Sequence, residues 1–249
     1  MSLVDPQFVN LDTEHAVRNY VSPYMTTPDL ELIYVGDPMC SWCWGFAPVV
    51  ESLDGRFDFP LSVVAGGLRP GPSAEVLDDR LRQFLLHHWY EVEERSGQPF
   101  NPAGLDRSDW RYDTLVPDTA VVTMRTISPA DTMPFFARLQ RAFYAEAIDI
   151  TDPAVYPTLL GEFDVDPDEF VAALASEELL KATWADFSLA QRLGATGFPS
   201  LYLREDETVY AVTQGYQPFE PLEAGIRGFL EERHPAAVSG LVCEIGEIC

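Results

Sequence analysis

The sequence predicts an α/β domain whose chain is split by a long helical insertion. Three observations carry that reading. Residues 30–65 run through a short apolar strand, an apolar stripe at helical spacing and a second strand. From residue 72 to about 194 most segments read as helices separated by prolines. After Gly197 the β-type pattern returns and one closing helix follows. The expected division is an N-terminal arm over 1–28, an α/β domain made of 29–71 and 186–235, a helical insertion over 72–185 and a C-terminal tail over 236–249.

Taken in order, residues 1–28 are polar, carry Pro6, Pro23 and Pro28, and read as a loosely held arm. The run LELIYV over 30–35 is a strand closed by Gly36-Asp37-Pro38. Phe46, Val49, Val50 and Leu53 form the helical stripe, ended by Asp54-Gly55, and 61–65 is the next strand. In the insertion the spacing predicts helices over 73–95, 118–127, 133–148, 154–163 and 167–193, the last with a bend near Glu178. Ser73 and Asp166 are suited to N-caps, and Pro167 sits where a first helical turn tolerates proline. Residues 199–203 and 209–213 form a hairpin across Arg204-Glu205-Asp206-Glu207, and 220–232 is the closing helix.

With 249 residues and 47% apolar content, the chain can bury a sizeable core. Its 40 acidic against 16 basic side chains leave a net charge of −24, which repels phosphate backbones and anionic lipid. Nucleic acid and membrane are therefore not expected partners. The start lacks a basic segment followed by an apolar stretch, and no long apolar run follows anywhere. Four cysteines are too few for a disulfide-stapled scaffold of this size, so a reducing cytoplasm is the expected compartment.

Those cysteines fall in two close pairs, Cys40/Cys43 and Cys243/Cys249. Cys40 follows the first strand and opens the helix, where unpaired backbone N–H groups and the helix dipole favour a thiolate. Two intervening residues let Cys43 reach Cys40 and resolve a mixed disulfide by intramolecular attack. Cys40 is thus the expected nucleophile and Cys43 the more buried resolver. Two other readings stand beside this one: a zinc site completed by Cys243 and Cys249, though their spacing is wide for it, and two buried core thiols.

The segment Asp37-Pro38-Met39-Cys40-Ser41-Trp42-Cys43, with Pro48 five residues beyond and Gly194-Ala195-Thr196-Gly197-Phe198-Pro199-Ser200 far downstream, resembles the DsbA-like branch of the thioredoxin superfamily. The likeness is to the FrnE/predicted protein-disulfide-isomerase group and spans about residues 30–233. It implies a thioredoxin fold interrupted by a large α-helical insertion, with Pro199 as the counterpart of the family's cis-proline. It also implies that the Phe198 backbone pairs with an extended substrate segment. An ordinary trans proline opening an edge strand is the competing reading. Where the family's type member has Pro-His between its cysteines, this chain has Ser41-Trp42 and no cation, which implies a less strongly oxidising couple. Related glutathione-dependent isomerases and kappa-class glutathione transferases carry serine at the place of Cys40, so retention of both cysteines favours thiol–disulfide exchange.

The expected function is that of a thiol–disulfide oxidoreductase or isomerase acting on peptide or small-thiol substrates. It needs no cofactor beyond the Cys40/Cys43 pair, with glutathione as a candidate co-substrate. The alternatives are a glutathione-dependent isomerase or transferase of a small aromatic substrate and a non-redox zinc- or peptide-binding module. Trp42 is a candidate apolar platform for substrate, whereas Trp44 reads as core. Asp37 reads either as a turn residue or as a proton acceptor for Cys43. Cys243 and Cys249 read either as a secondary redox pair or as two thiols without a role. His87 and His88 point in different directions on a helix, so no metal is expected there. Trp110, Phe135, Phe136, Phe143 and Tyr144 read as core aromatics, with a groove facing Cys40 as the other option.

Overall fold

The computed structural model describes residues 29–234 together with the strand β1, Val9–Leu11. Five strands form the main sheet: β1, β2 (Leu30–Gly36), β3 (Leu61–Ala65), β6 (Ser200–Glu205) and β7 (Thr208–Gln214), in the order β1-β7-β6-β2-β3. Only β2 and β3 run parallel, joined across α1 (Ser41–Leu53); the other neighbours are antiparallel. The arm thus contributes an edge strand through Val9–Leu11, paired with Val209–Ala211.

Alternation along β2 sorts its side chains. Leu30, Leu32 and Tyr34 join the core shared with α1, α8 (Phe219–Arg233) and the insertion, whereas Ile33 and Val35 pack with Ala190 and Leu193 at the end of α7 (Glu177–Arg192). Between β3 and β6 lie β4 (Glu75–Val76), α2 (Asp79–Ser96), β5 (Arg111–Tyr112), α3 (Leu115–Ile127), α4 (Thr132–Tyr144), α5 (Tyr156–Leu159), α6 (Pro167–Leu174) and α7. This insertion and the flanking segments share one apolar core. The Trp44 indole stacks on Tyr144, with ring centroids 6.2 Å apart, and its Nε1 donates to the Pro99 carbonyl at 3.0 Å. Trp110, Phe135, Phe136, Phe143 and Tyr144 are all buried in that core. Each such ring contributes on the order of 1.5–3 kcal/mol by leaving water. Gly45 lets α1 approach α2: a Cβ there would lie 2.7 Å from Val92 Cγ1.

Several expected boundaries shift, for local reasons. The first insertion helix starts at Asp79 rather than Ser73, because residues 71–73 form a 3₁₀ turn and Glu75–Val76 pairs with Arg111–Tyr112. Asp78 is its cap, accepting from the Leu81 N–H at 2.8 Å, while the Ser73 hydroxyl donates to the Pro70 carbonyl. The segment expected over 133–148 stops at Tyr144, where the Ala145 and Glu146 N–H groups both turn back to the Arg141 carbonyl. The segment 154–163 is one α turn between two 3₁₀ turns. The bend expected near Glu178 is a full break: α6 ends at Leu174, and Ser176 caps α7 by accepting from Leu179 N–H. Asp166 does cap α6, accepting from Asp168 and Glu169 N–H groups.

One polar clamp binds the insertion to the sheet. Arg125 of α3 meets Asp186 of α7 in a two-pronged pair at 2.8 and 2.9 Å. Arg125 also donates to the Val63 carbonyl, and Asp186 accepts the Ala65 N–H, so both ends of the pair grip β3. Two parallel bonds to a planar fork fix orientation as well as distance.

Candidate functional site

Strand β2 delivers the chain to a tight turn, and α1 begins immediately after it. Cys40 is the N-cap residue of α1, with extended backbone at φ −86° and ψ 115°. An N-cap side chain normally answers an unpaired N–H of the first turn, and here the acceptor is sulfur: the Cys43 N–H points at Cys40 Sγ, 3.4 Å away. The Cys40 thiol in turn donates to the Phe198 carbonyl at 3.5 Å, across 158 residues of sequence. Cys40 is 6% exposed, whereas Cys43 is fully enclosed. Burial first, and then the adjoining Cys40, push the Cys43 thiol well above the ordinary cysteine range.

The turn itself is held by Asp37, which has no exposed surface. Its carboxylate accepts the Met39 N–H at 2.8 Å and the Leu68 N–H at 2.7 Å, and its carbonyl accepts the Cys40 N–H at 3.0 Å. Each oxygen thus takes one backbone N–H, and the side chain ties the cysteine turn to the loop after β3. Desolvation raises the Asp37 carboxyl, against the pull of those two N–H groups. Asp118 of α3, also fully buried, is raised well above the usual carboxyl range by desolvation and then by the Asp37 charge. The Tyr34 ring lies within electrostatic reach of Cys43 and is fully buried, and the Tyr112 hydroxyl donates to the Met39 carbonyl.

Opposite Cys40 stands the Phe198–Pro199 segment, whose peptide bond is cis. It is braced by Ser200 Oγ donating to the Gly197 carbonyl at 2.8 Å and by the Gly215 N–H donating to the Pro199 carbonyl at 2.7 Å. Gly66 makes room for the Phe198 ring, since a Cβ there would come within 2.6 Å of it. Trp42 is half-buried beside the pair, its ring 5.8 Å from that of Tyr216. The fold therefore gathers Cys40, Cys43, Trp42, Asp37, Phe198 and Pro199 into one site.

The remaining candidates lie elsewhere. Trp44 is core, as its contacts above require. His87 is exposed and faces Glu91 at 3.4 Å, while His88 Nδ1 lies 3.1 Å from the Phe84 carbonyl. Among the described residues no group of three or more His, Cys, Asp or Glu side chains is placed to hold a metal. Among them, too, no helix is long and apolar enough to cross a membrane. Cys243 and Cys249 fall outside the described residues. Reading the sequence missed Asp118, Tyr34, Tyr112 and Tyr216. An aromatic directly after Gly215, at the end of a hairpin returning toward the Pro199 loop, was a signal for Tyr216; nothing local marked Asp118.

Comparison with known proteins agrees with this fold. The chain is 32% identical to a candidate protein disulfide isomerase from Nitrosomonas europaea, covering 82% of this chain and 99% of that one with a TM-score of 0.74. The cytosolic disulfide reductase DsbM of Pseudomonas aeruginosa is 26% identical, with 83% and 99% covered and a TM-score of 0.70; it has also been solved with glutathione. The ClpXP adapter protein SpxH of Halalkalibacterium halodurans is 23% identical over 221 residues, 83% of this chain and 70% of that protein. The profile of the DSBA-like thioredoxin domain matches residues 31–226, so the strand, the cysteine turn, the insertion and the Pro199 loop all fall within it. The chain belongs to the DSBA-like thioredoxin domain family, a family of thiol–disulfide oxidoreductases.

Proposed function

We propose that this protein reduces or reshuffles disulfides through the Cys40/Cys43 pair, on small-thiol or peptide substrates, with glutathione returning it to the dithiol. The observation that carries the reading is the placement of Cys40 Sγ at the helix N-cap, against the Phe198 carbonyl, with Cys43 enclosed behind it. In the forward direction the Cys40 thiolate attacks one sulfur of the substrate disulfide, and the other sulfur leaves as a thiolate. Cys43, once deprotonated, attacks Cys40 Sγ, closing the Cys40–Cys43 disulfide and releasing the second thiol. Two electrons pass to the substrate, and the two thiol protons end on the leaving sulfurs. Two glutathione thiols reverse the change in the protein and leave as glutathione disulfide.

Direction follows from what holds the thiolate. Strong oxidants of this type stabilise their reduced form. Here Cys40 Sγ meets the Phe198 carbonyl, the Cys43 N–H at 3.4 Å and the Cys43 thiol, none of them a cation. That supports a reductant suited to a reducing cytoplasm, the compartment named for the Pseudomonas protein. Phe198 and Pro199 would supply the backbone edge for substrate, and Trp42 its apolar wall. Asp37 holds the turn in this scheme and does not take the Cys43 proton.

The test is insulin reduction with glutathione or dithiothreitol as the electron source. Cys40→Ser is expected to abolish turnover, and Cys43→Ser to accumulate a mixed disulfide visible as added mass. Turnover by Cys40→Ser would overturn the proposal. A wild-type protein without turnover would do the same, leaving a binding role of the kind named for the SpxH relative.

A further inference from the structure

The chain is strongly acidic, yet the guanidinium over the Tyr216 ring has no acidic partner among the described residues. Arg95, in the last turn of α2, is exposed and makes no ion pair among the described residues. The acid one helical turn before it, Glu91, faces His87 instead. Its guanidinium carbon lies 5.8 Å from the centroid of the Tyr216 ring. That ring is in turn 5.8 Å from Trp42 and 6.3 Å from Phe46. Tyr216 directly follows Gly215, whose N–H is bonded to the Pro199 carbonyl. Arg95 is therefore joined through Tyr216 to Trp42, and through Gly215 to the Phe198–Pro199 edge that meets Cys40.

A cation over an aromatic face is held in place without using its N–H groups. The fork of Arg95 stays available for a two-pronged bond to a carboxylate. A net charge of −24 repels anionic solutes in general, so an uncompensated guanidinium at the mouth of the site gives such a solute a local anchor.

We propose that Arg95, seated on Tyr216, is a specificity residue that receives a carboxylate of the substrate, which places carboxylate-bearing small peptide disulfides of the glutathione type among the preferred substrates. This deepens the redox reading of the site and rests on it. In this arrangement the disulfide lies at Cys40, the peptide backbone follows Phe198, Trp42 and Tyr216 form the apolar wall, and the free carboxylate ends on Arg95.

The experiment compares oxidation of the reduced protein by glutathione disulfide with oxidation by the uncharged hydroxyethyl disulfide, in wild type and Arg95→Gln. Loss of the Cys40 and Cys43 thiols from the protein is followed in single turnover by acid quench, alkylation and mass, since the small thiols released keep total thiol constant. A charge-assisted bond is replaced by a neutral one, so the half-saturating glutathione disulfide concentration is expected to rise about tenfold. The limiting rate and the whole curve for hydroxyethyl disulfide should stay unchanged. Equal effects on both disulfides, or no effect on either, would overturn the role of Arg95 while leaving the redox reading intact. A wild-type protein oxidised by neither disulfide would defeat the redox reading and this inference with it. Arg95 is on the surface, and an unaltered thermal midpoint for Arg95→Gln confirms that only the site has changed.

Discussion

Gly66→Ala is expected to damage activity well before it damages stability. The φ of Gly66 lies outside the left-handed region, so the backbone accepts alanine. The difficulty is the methyl group, which would lie 2.6 Å from Cε1 and Cζ of Phe198 and 3.0 Å from Cδ1. Carbon atoms rest at about 3.5–4.0 Å, so the ring has to retreat by roughly 1 Å. Phe198 is only half-buried, which lets the ring move outward and keeps the overpacking cost near the lower end, about 1 kcal/mol. The same residue carries the carbonyl that meets the Cys40 thiol at 3.5 Å and would form the substrate edge. A misplacement of about 1 Å at reacting groups can cost on the order of a hundredfold in rate, and part of the shift relaxes in the side chain. A fall in kcat/KM of roughly tenfold is therefore expected in dithiothreitol-driven insulin reduction, with the urea midpoint measured in parallel. Phe198→Leu in the Gly66→Ala background shortens the obstructing side chain and should restore most of the rate. Activity equal to wild type in Gly66→Ala, or no recovery in the double variant, would refute the argument.

Three further outcomes are expected. In alkylation of the reduced protein near neutral pH, Cys40 should react first and Cys43 only slowly, because Cys43 is enclosed and its thiol is pushed up by burial; mass mapping of the adduct checks the order. Asp186→Ala leaves the Ala65 N–H without its acceptor and Arg125, 32% exposed, with the Val63 carbonyl and solvent; losing charge-assisted bonds of this kind costs about 1.5–3 kcal/mol. With roughly 2–4 °C lost per kcal/mol at this chain length, scanning calorimetry should show a midpoint at least about 3 °C lower. Asp118 keeps its proton in the folded state at pH values where the unfolded chain has lost it, so it contributes full stability below the ordinary carboxyl range and less as pH rises through its raised native pKa. Asp118→Asn should therefore lose less stability than wild type as pH rises from the ordinary carboxyl range in urea titrations.

The sequence by itself determined the place of the cysteine turn and the order of the elements. A cysteine at the junction of an apolar strand and a helical stripe is a local pattern, and its consequences are local too: Cys40 becomes the N-cap and Cys43 lies one turn inward, whatever packs around them. The β-α-β opening, the proline-punctuated helices and the returning hairpin were legible for the same reason, because periodicity and breakers act over a few residues. Helix starts and stops were less so. Ser73 and Asp78 are both competent caps, and the choice between them was made by a two-residue strand at 75–76 finding its partner at 111–112.

Only the tertiary structure decided what surrounds the cysteines. The Phe198 carbonyl reaches Cys40 from 158 residues away, and the Asp37 carboxylate takes the Leu68 N–H from the loop after β3. Asp118 comes from the insertion to sit buried beside Asp37, and Arg95 of α2 meets Tyr216, which follows β7. None of these pairings has a signature in spacing: the Phe198 contact follows from β6 pairing with β2, and the Asp118 and Arg95 contacts follow from how the insertion folds back over α1. That fold-back is driven by non-directional burial of the aromatic core, with Trp44 against Tyr144 and Gly45 against Val92. Burial specifies that these faces meet, and the polar neighbours of the cysteines then follow from the geometry of that contact.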